Sequence, residues 1–102
     1  MYKIVYLPLA RQDISDTALY IAGHLKAPQA ALDLLNALDN GISRLKDFPY
    51  SCRVYHPAKP LKQEYRILLV KNYAVFYTVY EKDKTVEILR VIYAKRDFEK
   101  QL

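Results

Sequence analysis

The sequence has 102 residues, of which 52% are hydrophobic and 26% are charged, with only two glycines. A chain of this length and composition folds as one compact domain, which excludes a multidomain enzyme. Its lone Cys52 cannot form an internal disulfide, and no Cys and His residues have the spacing of zinc ligands, so packing must stabilise the fold. No apolar stretch approaches the roughly 20 residues of a membrane-spanning helix, and the charged N-terminus lacks a signal peptide's apolar core. We therefore expect a cytoplasmic protein with no membrane partner.

The net charge of +5 is unevenly distributed along the chain. Residues 1–50 carry equal numbers of basic and acidic side chains, so the entire excess lies in residues 51–102. Such an excess is typical of a surface that meets phosphate or an acidic partner, although small domains also carry net charge for solubility.

The first half of the chain predicts a strand followed by two helices. Side chains alternate in character over residues 2–7, and Pro8 then marks a helix start. Apolar residues at three- and four-residue spacing predict two amphipathic helices, separated at residues 26–28. Asp13 and Asp16 are expected to face water. The apolar stripes consist of Ile14, Ala18, Ile21, Ala22 and Leu25 in the first helix, and of Ala31, Leu34, Leu35, Leu38, Ile42 and Leu45 in the second.

The second half of the chain predicts a basic loop and then a sheet. The loop carries prolines and extends to about Leu61. Branched and aromatic residues dominate three later segments, at 64–70, 73–80 and 85–93, which therefore predict strands. The predicted fold class is α+β, in a single domain over residues 1–102. It comprises a small antiparallel sheet of order β-α-α-β-β-β, with room for one extra edge strand, and a helical hairpin on one face. The other face is left for function.

Arg66 and Arg90 stand among apolar neighbours in two predicted strands. A strand arginine is costly unless its guanidinium reaches water, a carboxylate or a phosphate. We therefore expect both residues to mark a concave, half-open surface. For Arg66, an ion pair with Glu64 or Glu87 is the alternative to a phosphate.

Four short motifs support a family resemblance. They are L-x-x-F-P at 45–49, Tyr-Arg at 65–66, N-Y-x-V-F-Y at 72–77 and R-V-I-Y-A-K-R-D at 90–97. In this order and spacing, the chain resembles the RelE/ParE superfamily of toxins from bacterial type II toxin–antitoxin modules over essentially its whole length. The resemblance implies a cognate antitoxin with an acidic segment that silences the toxin, and that also binds operator DNA.

The RelE-like branch of the superfamily cleaves messenger RNA on the ribosome with no metal or other cofactor, by making a ribose 2′-OH attack its own 3′ phosphate. That reaction needs a base, an acid and cations beside the phosphate. Tyr93 matches a tyrosine that follows the last strand in some members, and it is the first candidate for proton transfer, ahead of His56 and Glu64. The catalytic tyrosine that one subgroup has a few residues after its terminal Lys-Arg has no counterpart after Lys95 and Arg96. The resemblance assigns catalysis to Arg66, Tyr93 and Arg96, and RNA binding to Lys59, Lys62 and Arg90.

The ParE-like branch has the same fold but inhibits DNA gyrase and cuts no RNA. A member that has lost toxicity would keep only its binding partner. The ending of the last strand does not discriminate, because both branches have it. The leading interpretation is a metal-independent, ribosome-dependent mRNA endoribonuclease, and a gyrase inhibitor is the alternative.

Overall fold

The computed structural model describes residues 1–57 and 63–95. A π-helical turn at Tyr20–His24 extends the first helix, and a 3₁₀ turn at Arg44–Lys46 extends the second. The element order and the packing of the helical hairpin on the sheet confirm the predicted α+β fold. In chain order, the elements are β1 (Lys3–Tyr6), α1 (Pro8–Leu19), α2 (Pro28–Ser43), β2 (Arg66–Val70), β3 (Tyr73–Tyr80) and β4 (Thr85–Tyr93).

Proline begins both helices. Pro8 and Pro28 each occupy the first helical turn, where a backbone N–H has no intrahelical partner and its loss costs nothing. The chain reverses at Lys26, which adopts a φ of 54°. The Ala27 N–H then donates to the Ile21 carbonyl and closes the first helical segment. The predicted break at residues 26–28 is therefore the tip of the hairpin.

The sheet has the strand order β1-β4-β3-β2. Strands β2, β3 and β4 form the expected antiparallel meander, whereas β1 pairs with β4 in parallel, so the sheet is mixed. The two helices return the chain to the end of the sheet where it began, as the bond from the Tyr2 N–H to the Lys46 carbonyl shows. Strand β2 therefore runs in the direction of β1, and β4, two reversals later, does the same.

The core lies on both faces of β3, whose residues from Ala74 to Tyr77 are 0% exposed. Val75 and Tyr77 face the hairpin and belong to the core cluster that includes buried residues of both helices. Phe76 belongs to a second cluster on the opposite face, which Tyr55 helps to cover. The sequence predicts an open second face, but the structure buries this part of it, because β3 carries apolar side chains in both directions. The other buried members of the second cluster are Ile67, Ala74 and Ile92.

Removing the hydroxyl of Tyr77 should destabilise the fold. This buried hydroxyl donates to the Pro49 carbonyl at 2.8 Å and ties the loop after α2 to the sheet. We expect Tyr77→Phe to lower the free energy of unfolding by about 1–2 kcal/mol, because the carbonyl loses its donor. Urea titration provides the measurement. Tyr80→Phe, which removes a more exposed hydroxyl, is the control, and equal stability of the two variants would contradict the prediction.

Candidate functional site

Arg66 begins β2 and lies opposite Tyr77, on the hairpin side of the sheet. Its guanidinium donates to the Cys52 carbonyl at 2.7 Å and to the Glu64 carboxylate at 3.1 Å. It also lies over the ring of Tyr50, 5.0 Å from the ring centroid. Only 17% of the side chain is exposed. The chain itself therefore supplies the partners that a phosphate was expected to provide.

A polar network joins the loop after α2 to the turn between β3 and β4. The hydroxyls of Tyr2 and Tyr50 both donate to Oε1 of Glu81, at 2.6 and 2.7 Å. Lys84 forms an ion pair with Oε2 of Glu81, and its ammonium lies over the Tyr2 ring. The network fixes Tyr50, and Tyr50 in turn forms one wall around Arg66.

The network also sets the protonation of its members. Hydrogen bonds from Lys84, which contributes most, and from two tyrosines lower the pKa of Glu81 to about 2. The bond to Glu81 raises the pKa of Tyr50 to about 12. Near neutral pH, Glu81 is thus a weak base and Tyr50 a weak acid, so this network is built for positioning and not for proton transfer.

A hollow of about 340 Å³ opens beside Arg66. Glu64 contributes to its lining, and 61% of the Glu64 side chain is exposed. Tyr80 lines it too, with its hydroxyl 3.1 Å from Oε1 of Gln63. The hollow therefore brings together a guanidinium, a carboxylate and phenols. A guanidinium can stabilise charge on a phosphate, and a carboxylate or a phenol can transfer a proton beside it.

Arg90 forms a two-bond ion pair with Asp13 of α1. Nε and Nη2 of Arg90 donate to the two carboxylate oxygens at 2.8 and 2.9 Å. The same carboxylate accepts the Val91 N–H at 2.9 Å. The side chains of Arg90 and Asp13 are only 19% and 16% exposed. Asp13 was expected to face water, but it instead joins α1 to β4, because a half-buried guanidinium needs a carboxylate.

A cleft of about 710 Å³ lies beside the second half of β4. The last bond between β1 and β4 runs from the Leu7 N–H to the Ile88 carbonyl, so β1 does not cover β4 beyond this point. The rings of Tyr73 and Tyr93 meet edge to face in the cleft, with centroids 5.5 Å apart. The helical wall of the cleft includes Asp13, Asp16, Thr17, Tyr20, Ile21 and Leu25.

The structure places Arg66 and Tyr93 at different ends of the sheet. Arg66 pairs with Tyr77 of β3, whereas Tyr93 pairs with Tyr73. Four residues along β3 and two strand spacings separate their backbones by roughly 16 Å. Arg66 is directed at the Cys52 carbonyl and Glu64, whereas the ring of Tyr93 packs on Tyr73, so the two side chains do not converge on one site. Among the other predicted site residues, Arg90 lies beside Asp13, His56 is exposed, and Lys59, Lys62 and Arg96 lie outside the described residues.

Sequence reasoning missed Asp13, Tyr50 and Glu81 as members of these sites. Asp13 meets an arginine 77 positions away, and Glu81 meets Tyr2 across 79 positions. No local spacing encodes contacts of that range. The available signal was indirect, because two strand arginines in apolar surroundings each need a polar or charged partner, and a carboxylate of the chain is one such partner.

A family model described as the ParE toxin of the type II toxin–antitoxin system, parDE, matches residues 4–98. No curated protein sequence matches the chain closely enough to count as a relative. Within residues 1–57 and 63–95, no helix is long and apolar enough to cross a membrane. In the same ranges, no group of three or more His, Cys, Asp or Glu side chains is placed to hold a metal ion.

Three solved structures illustrate the likeness of fold. The chromosomal ParDE TA system from P. aeruginosa gives a TM-score of 0.74 at 16% identity, covering 93% of this chain and 98% of that chain. The archaeal RelE-RelB complex from Pyrococcus horikoshii OT3 gives a TM-score of 0.62 at 16% identity, covering 94% of this chain and 98% of that chain. A metal-bound toxin from Helicobacter pylori gives a TM-score of 0.58 at 15% identity, covering 91% of this chain and 94% of that chain. At these identities the likeness concerns the fold alone.

Lowering the pH should decrease the unfolding free energy of the protein, because it protonates Glu81. Its pKa is lower in the folded chain than in the unfolded chain, so its contribution to stability is complete above about pH 4.5 and is lost as the pH falls towards about 2. Glu81→Gln should therefore reduce the dependence of unfolding free energy on pH in this window. Urea titrations across the window test this, with Asp83→Asn in the same turn as the control. An unchanged pH dependence in Glu81→Gln would contradict the prediction.

The ion pair between Asp13 and Arg90 should show strong energetic coupling. We expect Asp13→Ala and Arg90→Ala each to lower the unfolding free energy by roughly 2 kcal/mol, because each leaves a half-buried charge without its partner. The double variant should lose less than the sum, by about 1 kcal/mol or more. Denaturant titration measures all four proteins of the cycle. Asp16→Ala, which removes an exposed acid one turn later, should be additive with Arg90→Ala; additivity for Asp13 as well would refute the coupling.

Proposed function

Because the chain belongs to the ParE toxin family of type II toxin–antitoxin systems, we propose that it acts by binding DNA gyrase and inhibiting it, and not by cutting RNA. The observation that carries this proposal is the engagement of both strand arginines within the chain. Arg90 is held by Asp13 through two hydrogen bonds, and Arg66 by the Cys52 carbonyl and Glu64. A phosphate would have to displace these partners and leave a carboxylate half-buried without a counter-charge.

The distances favour the same proposal. Cleavage by a 2′-OH needs a base, an acid and cations within hydrogen-bond reach of one phosphate. The backbones of Tyr93 and Arg66 lie roughly 16 Å apart across the sheet. Inhibition by binding needs no such constellation, only a surface that fits the target.

The proposal includes a cognate antitoxin as the partner that silences the toxin. Solved structures of similar fold include a RelE-RelB complex and a ParDE TA system, which supports a toxin of this shape being held by a protein partner. The basic excess in residues 51–102 suits an acidic antitoxin segment. A chain that binds an antitoxin and gyrase would act in the cytoplasm, and the proposal includes that location.

Ribosome-dependent mRNA cleavage is the second candidate, and the hollow beside Arg66 favours it. Glu64 and Tyr80 flank Arg66 there, and most of the Glu64 side chain is exposed to solvent. In this version Glu64 takes the proton-handling role, in place of Tyr93, and Arg66 stabilises the charge on the phosphate.

Two assays run together test the proposal. Purified chain is titrated into a supercoiling reaction of gyrase with relaxed plasmid, and message ends are sequenced after brief induction of the chain in cells. We expect supercoiling to be lost, with relaxed or broken plasmid accumulating, and no new message ends. Heat-denatured chain at the same concentrations is the control for the plasmid assay.

Cut messages with unaffected supercoiling would overturn the gyrase proposal. In that case Arg66→Lys tests the second candidate, because it keeps the charge but loses the guanidinium fork. Cleavage should then fall by about 100-fold or more, and undiminished cleavage would exclude the hollow as the nuclease site.

A further inference from the structure

We propose that the edge of β4 that β1 leaves free binds an extended, basic peptide segment of another protein, which adds as a strand beyond the end of β1. The inference depends on the fold and on the cleft beside β4, and it holds for a gyrase inhibitor and for a nuclease alike. It concerns the backbone from Ile88 to Tyr93 and the cleft lining from α1 and the π-helical turn.

A bulge in β4 sets which backbone groups face the cleft. Ile88 pairs with Tyr77 and Arg90 pairs with Phe76, so Leu89 is an extra residue and the alternation shifts by one. Before the bulge, the Ile88 carbonyl points outward to accept the Leu7 N–H. After the bulge, the backbone N–H and carbonyl groups of the odd-numbered residues point away from β3, as the bond from the Val91 N–H to Asp13 shows.

By the same alternation, the backbone N–H and carbonyl of Tyr93 point away from β3. The Ala94 N–H donates to the Asn72 carbonyl, which makes Tyr73 and Tyr93 a pair without mutual backbone bonds. The N–H of Tyr93 and the carbonyl of Val91 therefore face the cleft. No other described residue hydrogen-bonds to either group. A donor and an acceptor spaced along one strand edge are what an added strand recognises.

The side chains around this edge favour a cation. Arg90 neutralises Asp13, so among the described residues that line the cleft Asp16 is the remaining acid. The rings of Tyr20, Tyr73 and Tyr93 also line the cleft, and tyrosine faces attract guanidinium and ammonium groups. This local acidity stands out in a chain of net charge +5. An arginine or lysine of an added strand would meet both the carboxylate and the rings.

Designed peptides provide the test with the full chain. The probe is a fluorescein-labelled octapeptide of alternating valine and arginine, titrated by fluorescence anisotropy. The comparison peptides replace arginine by glutamate, or carry N-methyl groups on alternate amides. We expect saturable binding of the valine–arginine peptide, and about tenfold or greater weakening in each comparison peptide, because one loses the charge match and the other the backbone bonds.

Two variants of Tyr93 isolate the backbone contribution. Tyr93→Pro removes the ring and the outward N–H, whereas Tyr93→Ala removes the ring alone. Because this N–H is not part of the ladder with β3, proline is tolerable at the edge. The proline variant should bind the valine–arginine peptide about tenfold more weakly than the alanine variant, and Asp16→Asn should weaken binding in a salt-dependent manner.

Several outcomes would overturn the proposal. They are no saturable binding of the valine–arginine peptide, equal binding of the N-methylated peptide, and preference for the glutamate peptide. Equal affinity of folded Tyr93→Pro and Tyr93→Ala would overturn it as well. If Tyr93→Pro does not fold, as judged by circular dichroism, the N-methylated peptide still decides the matter with the unaltered chain.

Discussion

The burial of β3 on both faces is the constraint on which the rest of the structure depends. A strand without an exposed side has to be flanked by strands and covered by other parts of the chain, and it leaves no room for charge at the centre of the sheet. The hairpin covers one face of β3, and the cluster around Phe76 fills the other. Polar chemistry is consequently confined to the ends and edges of the sheet, where Arg66 and Arg90 are found.

Each of these arginines is bound by polar or charged groups of the same chain, and these partners determine whether its guanidinium is available to a ligand. Asp13 reaches across from α1 to satisfy both the Arg90 guanidinium and a backbone N–H of β4. Around Arg66, a carbonyl, a carboxylate and an aromatic ring fulfil the same need. A cation satisfied in this way stabilises the fold and is a poor site for phosphate, which would have to displace charged partners.

The sequence predicted the elements well because their signals are local. Alternation, helical spacing and the prolines at positions 8 and 28 act within a few residues, and the structure places the strands and the hairpin where those patterns lie. The apolar neighbours of Arg66 and Arg90 in the sequence also correctly indicated that each needs a partner. The identity of the partners was not predictable, because Asp13 and Arg90 lie 77 positions apart and no spacing rule spans that distance.

Two further features were hidden for related reasons. The parallel pairing of β1 with β4 depends on where the hairpin returns the chain, and a strand pattern carries no information on direction. The second face of the sheet was expected to be open, because Arg66 and Arg90 stand among apolar neighbours in the two strands beside β3. In β3 itself, consecutive residues from Ala74 to Tyr77 are all buried.

The pairing of the first strand with the last has a consequence for biosynthesis. Lys3 lies beside Thr85 in the sheet, so β1 leaves the ribosome long before its neighbour exists. Contacts of such long range form late in folding, because the intervening chain must first be ordered. A nascent chain that stops short of β4 lacks the strand that joins β1 to β3. The mature sheet therefore cannot form until residues 85–93 have been synthesised.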